Sequence, residues 1–431
     1  MMSHKRDFGS FHASNVDELV DLPQDQYEKP VLPVEEPSFD GLGNGKLEFG
    51  RFARRKHFHL EEECCFINHG AFGSALKEGL EVAQKWQIYA ERQPLRFIDR
   101  ELLPLGVYVT RSIASFVGAD PRNIILMQNV TTALNCILKS INFQPGDVIF
   151  SLSTTYGATK KMLTEVSVKT GATLQEAQVV FPMKSKEEVI NLVKAELKEG
   201  TRLAIFDHIP SNTPVVLPVE ELLQICRQRG VQVLIDGAHA PGNLPLDMKA
   251  LNPDFYIANC HKWLCAPKGV AFMYVDQKFH QEVHPVITSH GYGSGLHGEF
   301  SWQGLRDYSG WLALPTVLNF WKTVGPERMR DYMHSLAREA ATYLTNLWGS
   351  QTMAPPSMFV GMVLVQLPSS MWEDQSKTTY SDAEKIQNQL YHDYNIEASA
   401  GKSSGQLVVC SHLCPYLQHH GGLQETGGSN C

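Results

Sequence analysis

The chain has 431 residues, 43% of them hydrophobic, and 46 acidic against 38 basic side chains leave a net charge of −8. That apolar content excludes a disordered chain and suffices for a large core with a smaller satellite, while the acidic balance supplies no basic stripe for nucleic acid. No apolar run has the length of a membrane span, the N-terminal stretch has no signal-peptide core, and nine scattered cysteines read as reduced thiols, so a cytoplasmic chain without membrane or nucleic-acid partners is expected.

Residues 1–45 mix Pro, Asp, Glu and Gly without apolar periodicity and are predicted to be a flexible N-terminal arm. Regular patterning starts near Phe66: Val82–Ala90 reads as a helix, Ile124–Gln128 as a strand and Thr131–Ile141 as the helix that follows it. Strands and helices then alternate. Asp147–Leu152, Thr173–Phe181, Leu203–Ile209 and Val231–Asp236 are predicted strands, separated by helices at Tyr156–Thr170, at the segment opened by a Ser185/Glu188 capping box, and at Val219–Arg229. Phe255–Ala258 and Val270–Val275 complete a mostly parallel, seven-stranded sheet covered on both faces, in a large α/β domain over 46–314, with 46–65 assignable to either domain. A small α/β domain is expected over 315–409, with helices at Leu314–Trp321 and Met329–Leu347, a strand at Met358–Leu367, a helix capped by Ser381 and Glu384, and short strands at Asn395–Ala398 and Gln406–Val409. Residues 410–431 form an atypical, disordered tail in this reading, holding Cys410, Cys414 and Cys431 and no apolar helix repeat. An altered reading frame or alternative exon would explain it, and the transcript sequence tests that.

Two strands end in chemistry-bearing residues: VLIDGAHAPG places Asp236 at one end, and Asn259-Cys260-His261-Lys262 closes another. Ligands of open α/β sheets collect at the carboxyl ends of strands, so an acid and an amine reach one crevice. A lysine bonded as an imine to an aldehyde, with a carboxylate facing a ring nitrogen, fits that pair. An ordinary half-buried ion pair between Asp236 and Lys262 fits it as well. Asn129-Val130-Thr131-Thr132-Ala133, between a strand and a helix, suits either phosphate binding or a plain N-cap.

The segments FINHGAFGSAL, QPLRFIDREL, NVTTALN, TTYGATKK, SNTPVVLPVEEL, LIDGAHAPG, CHKWLCAPKG and WQGLRDYSG, from about Phe66 to Leu318, resemble the class V aminotransferases. They are most similar to the isopenicillin N epimerase-like branch, which also holds cysteine desulfhydrases. The resemblance implies the fold type I architecture of transferases dependent on pyridoxal 5′-phosphate (PLP), a small amino-acid substrate and a homodimer. It implies that Lys262 carries PLP as a Schiff base and that Asp236 pairs with the pyridine nitrogen. His239 would lie beside the ring hydroxyl and Tyr156 on the ring face. Thr131, Thr132, Asn259 and His261 resemble the phosphate-binding set, and Asn68, Arg96 and Arg306 lie where the family lines the substrate entrance. For His261, a histidine merely packed near the sheet is the competing reading.

This chain departs from the family twice. Relatives read Gly-Thr-Arg-Asp in a loop that touches the neighbouring subunit's phosphate, whereas Leu305 here offers no hydroxyl in Gly304-Leu305-Arg306-Asp307. Relatives also bind the substrate carboxylate through an arginine on a late strand, and here no arginine follows Arg338. C–S lyase or epimerase chemistry is the expectation, with Arg96, Arg100 or Arg306 standing in for the missing arginine. Transamination and a PLP-binding protein with little catalysis stay open. No metal is expected: neither Cys260-His261 with Cys265 nor Cys410, His412 and Cys414 shows two spaced ligand pairs. Persulfide relay is disfavoured, because no cysteine lies between Ala266 and Val409. The loop Gly291–Gly295 follows no strand and opens no helix, so it is read as an active-site or interface loop.

Overall fold

The computed structural model describes residues 16–43, 45–374, 377–403 and 406–412. A seven-stranded sheet runs in the order Ile124–Met127, Ala271–Val275, Phe255–Asn259, Gln232–Asp236, Thr201–Asp207, Val148–Leu152 and Thr173–Ala177. Only Ala271–Val275 is antiparallel to its neighbours. The central strands are apolar throughout because helices cover both faces, and residues such as Leu234, Ile235, Tyr256 and Ile257 are fully buried. The carboxyl ends of the other six strands therefore open on one edge of the sheet.

That edge receives every loop singled out in the sequence. Ile124–Met127 leads to the helix Val130–Ser140, Val148–Leu152 to the helix Gly157–Thr170, and Gln232–Asp236 to the turn at His239. The helix Gly157–Thr170 stops where expected, at Gly171 in the left-handed region. The strand through Asp207 ends there, two residues short of the expected Ile209.

A second sheet, antiparallel, stacks Ser399–Ser403, Gln406–His412 and Met362–Gln366 in that order, with the helices Pro326–Trp348 and Tyr380–Tyr394. Residues 410–412, assigned to the tail from sequence, belong to its middle strand; residues 413–431, including Cys414 and Cys431, lie outside the described residues. The capping box of Tyr380–Tyr394 is Thr379 with Asp382, in place of Ser381 with Glu384. At the helix Glu187–Glu196 the Ser185/Glu188 box is likewise replaced, since Glu188 accepts from the Lys184 N–H at 3.2 Å. Cys65–Phe66 pairs in parallel with Ile396–Glu397, so the chain near residue 65 joins the C-terminal strands.

The segment expected to be a flexible arm is packed from Val16 onward, and residues 1–15 lie outside the described residues. Val16–Asp21 is a helix that buries Val16 and Val20 against Val107, and Val34, Phe39 and Leu47 join the main core. The Asp17 carboxylate accepts from the N–H groups of His297 and Gly298, and the buried Arg111 donates to the carbonyls of Val20 and Leu22 at 2.9 and 3.0 Å. These anchors are distant in sequence, which is why local composition did not reveal them. Among the described residues no helix is long and apolar enough to cross a membrane.

Candidate active site

Asp236 and Lys262 are delivered to the same edge but do not form the ordinary ion pair. No ion pair joins them among the described residues; the Lys262 amine is instead 3.1 Å from His239 Nε2, and Asp236 Oδ1 accepts from the Ala238 N–H at 3.0 Å. Burial pushes the Asp236 carboxyl up to about 6, against the Ala238 N–H and the Lys262 charge, which pull it down. Burial also lowers the Lys262 amine to about 8, although the carboxylates of Asp236 and Asp207 oppose the shift. Two opposite charges are thus each drawn toward neutrality, with no ion pair between them. A planar ring with a basic nitrogen at one end and an aldehyde at the other fits such a pair.

Asp207 is a site residue that the sequence reading missed. It stands level with Asp236 on the neighbouring strand and is buried, and both burial and the Asp236 charge drive its carboxyl well above the usual range. The signal was available: a carboxylate at a strand end beside another strand-end carboxylate, hidden by placing the strand terminus two residues late. His208, next in sequence, is held neutral by burial, down to about 4, with Nδ1 2.9 Å from the Tyr256 hydroxyl.

At the start of the helix Val130–Ser140 the N-cap reading is realised by Asn129. Asn129 Oδ1 accepts from the Thr132 N–H at 2.8 Å and from its hydroxyl at 3.1 Å, and Asn259 Oδ1 accepts from the Val130 N–H at 3.1 Å. Such a cap contributes about 1 kcal/mol to the helix. Thr131, between them, is exposed at the helix N-terminus, where an anion is favoured. His261 is anchored by Nδ1, which donates to the Val270 carbonyl at 2.9 Å, and burial lowers its pKa to about 4. Its Nε2 is therefore a bare acceptor until an anion arrives to favour a second proton. Tyr156, the N-cap residue of the helix Gly157–Thr170, is 45% exposed.

The entrance residues separate. Asn68 donates to Glu397 Oε1 at 3.3 Å, while its Oδ1, buried, has no hydrogen-bond partner; His69 Nδ1 beside it is also buried and unpartnered. Arg96 Nε is 3.1 Å from Glu101 in an ion pair without a hydrogen bond, and the guanidinium stacks on Tyr89. Arg306 lies 4.0 Å from the Trp311 ring and 5.1 Å from that of Tyr308, and its Nε and Nη2 are buried with no hydrogen-bond partner. It lines a cavity of about 920 Å³ together with His59, Phe72, Asn129 and Lys268. The Arg306 guanidinium forms no ion pair with a carboxylate among the described residues.

Gly73 sets how close this wall comes to Lys262. At φ +69° it is left-handed, and a Cβ there would stand 2.2 Å from the His261 carbonyl oxygen and 2.8 Å from Lys262 Cα. Gly73→Ala is expected to destabilise the protein by about 1–3 kcal/mol and to displace the lysine. Thermal unfolding and the rate of Lys262 modification by an aldehyde check it; an unchanged rate would show that the wall does not position the amine.

Residues 108–405 match the family described as Aminotransferase class-V. The chain is 34% identical over 359 residues to an Arabidopsis thaliana protein named probable L-cysteine desulfhydrase, chloroplastic, covering 79% of this chain and 75% of that one. It is 28% identical over 355 residues to the isopenicillin N epimerase of Streptomyces clavuligerus, covering 78% and 86%. The structure superposes with a TM-score of 0.75 on that of C-DES with glycine covalently linked to its PLP cofactor, at 20% identity over 87% of this chain and 98% of the other, a likeness that carries the fold type I architecture. Family profile and relatives span the edge of the sheet on which Asp236 and Lys262 meet, and the chain belongs to the class V aminotransferases.

Proposed function

We propose that this chain is a PLP-dependent enzyme acting on a small amino acid, with C–S bond cleavage of cysteine as its first expected reaction and epimerisation as the alternative outcome of the same site. The observation that carries the reading is the buried Asp236 and Lys262, which form no ion pair with each other and whose charged forms burial disfavours. PLP, when bound, draws electron density from a bond at the substrate Cα. Asp236 would hold the proton on the ring nitrogen, and Tyr156 would cover one ring face. His239 would donate to the ring oxygen. The phosphate would sit at the N-terminus of Val130–Ser140, where Thr131 is exposed, with Thr132, Asn259 and His261 around it. Lys262 would anchor the cofactor and then, as a free amine, move the Cα proton.

Arg306 replaces the missing late arginine in this reading, because it forms no ion pair among the described residues whereas Arg96 pairs with Glu101, and Asn68 Oδ1 offers an acceptor for the substrate ammonium. A homodimer is in keeping with the family resemblance of the loop at Arg306. The second reading, a PLP-binding protein with little catalysis, draws on the absence of any arginine after Arg338.

The test is the near-visible spectrum of the protein with PLP, before and after L-cysteine, with sulfide release measured in parallel. A band that L-cysteine perturbs while sulfide appears supports the lyase. Perturbation with loss of cysteine chirality and no sulfide selects the epimerase. A band that no amino acid changes selects the binding protein, and no band in folded protein overturns the cofactor assignment.

A further inference from the structure

His239 is held from two sides, and the two restraints decide which of its nitrogens carries the proton. Trp263, next to Lys262 and 1% exposed, places its indole Nε1 3.2 Å from His239 Nδ1. An indole N–H can only donate, so Nδ1 must accept, and the ring proton resides on Nε2. Nε2 is the nitrogen 3.1 Å from the Lys262 amine. The main chain of His239 is pinned independently: the fully buried Asn243 donates from Nδ2 to the His239 carbonyl at 2.8 Å, and its Oδ1 accepts from the Gly361 N–H at 3.1 Å. The carbonyl of Asn243 accepts from His334 Nε2 at 3.0 Å. Gly242, at φ +91°, keeps this turn against the Trp263 backbone, which a Cβ would approach to 3.0 Å. The backbone that carries the ring is therefore fixed, and the ring itself is held by the indole N–H.

We infer that Trp263 is a positioning residue: its indole N–H fixes His239 as the Nε2–H tautomer, so that the histidine donates to Lys262 when that amine is neutral and shifts its equilibrium toward the nucleophilic form. A histidine with the opposite tautomer would present a lone pair to that amine and favour the ammonium. The groups facing Lys262 are His239, Asp236, Asp207 and its own neighbour His261. The two carboxylates favour the charged lysine, so a donor at His239 works with burial against them. The same N–H would suit an oxyanion on a cofactor ring. The inference uses the proposed function only for what the amine does, since the tautomer is a property of the ligand-free chain.

The experiment is nitrogen NMR of ligand-free protein with ¹⁵N-labelled histidine, the His239 signal being identified by its loss in His239→Gln. The wild type is expected to show a protonated Nε2 and a bare Nδ1; a protonated Nδ1, or an imidazolium at neutral pH, overturns the inference. In Trp263→Phe the proton is expected to redistribute onto Nδ1. The Lys262 titration, followed by its rate of reaction with pyridoxal lacking the phosphate, should move from about 8 toward the ordinary 10.5. A one-unit rise lowers the neutral amine, and the rate at neutral pH, about tenfold. Admitting water would also raise this midpoint, so the claim requires the midpoint and the His239 tautomer to move together, and an unchanged midpoint or an unchanged tautomer sinks it. If Trp263→Phe does not fold, replacing the tryptophans by the benzothienyl analogue, which keeps the shape and lacks the N–H, gives the same two readouts. A failed PLP spectrum with the predicted tautomer would sink the proposed function and leave this inference standing.

Discussion

Lys262→Met is expected to abolish the near-visible PLP band and to lower turnover at least about 10³-fold, because one amine both anchors the cofactor and moves the proton. The ligand-free variant should nevertheless be more stable than the wild type at neutral pH. Burial lowers the folded-state pKa of Lys262 to about 8 from 10.5. Between those values the unfolded chain binds the proton more readily, so wild-type stability rises as pH increases through the window and is lowest below it. Methionine removes the buried charge and keeps the volume. Parallel melting curves of ligand-free wild type and variant at pH 7 and pH 10 check this: the gap should narrow at the higher pH. A variant that still yields the band would place the anchoring amine elsewhere.

Asp236→Asn should show the same opposition with the pH order reversed. Its folded-state pKa is raised to about 6 from 3.8, so between those values the folded chain holds a proton that the unfolded chain has released. Wild-type stability from this group is intact below the lower value, falls as pH rises through the window, and stays reduced above it. Asparagine removes that penalty, so ligand-free Asp236→Asn should melt higher than wild type at pH 7 to 8 and about equally at pH 3.5. Turnover should drop about 10²–10³-fold, the size of losing one preorganised electrostatic partner. A variant that melts lower than wild type at neutral pH would mean that the Asp236 charge is stabilising, contrary to its burial. Such strain in an unfilled site is the usual relation between stability and function.

Much of this arrangement was legible in the amino-acid order, and what escaped did so for definable reasons. Alternating apolar runs and glycine stops placed all seven strands of the large sheet, since strands buried on both faces are written as continuous hydrophobic residues. Asp236 and Lys262 were visible because each sits just past such a run. Asp207 was hidden by a boundary two residues late, the commonest error of local reading. The capping box shifted because TTYSDAEK holds both Thr379-x-x-Asp382 and Ser381-x-x-Glu384, and only the fold selects the first. Asn243 and Trp263 gave no local signal, because their partners are Gly361, His334 and His239, brought near only by tertiary structure. Val16–Asp21 looked like a loose arm because the groups that hold it, Arg111, His297 and Gly298, are remote in sequence.

The position of Gln406–His412 at the centre of its sheet has a consequence for how the molecule is made. Its neighbours Met362–Gln366 and Ser399–Ser403 do not pair with each other, so neither can begin that sheet without it. Cys65–Phe66 likewise waits for Ile396–Glu397 before its parallel pair can form. On the ribosome the large sheet can therefore assemble early, while the C-terminal sheet closes only once residues beyond 406 have emerged, and Ile396–Glu397, which brings Glu397 to Asn68, is available only once residues beyond 397 have. Nascent chains halted before that point would hold Lys262 and Asp236 in place and leave the entrance at Asn68 unbuilt.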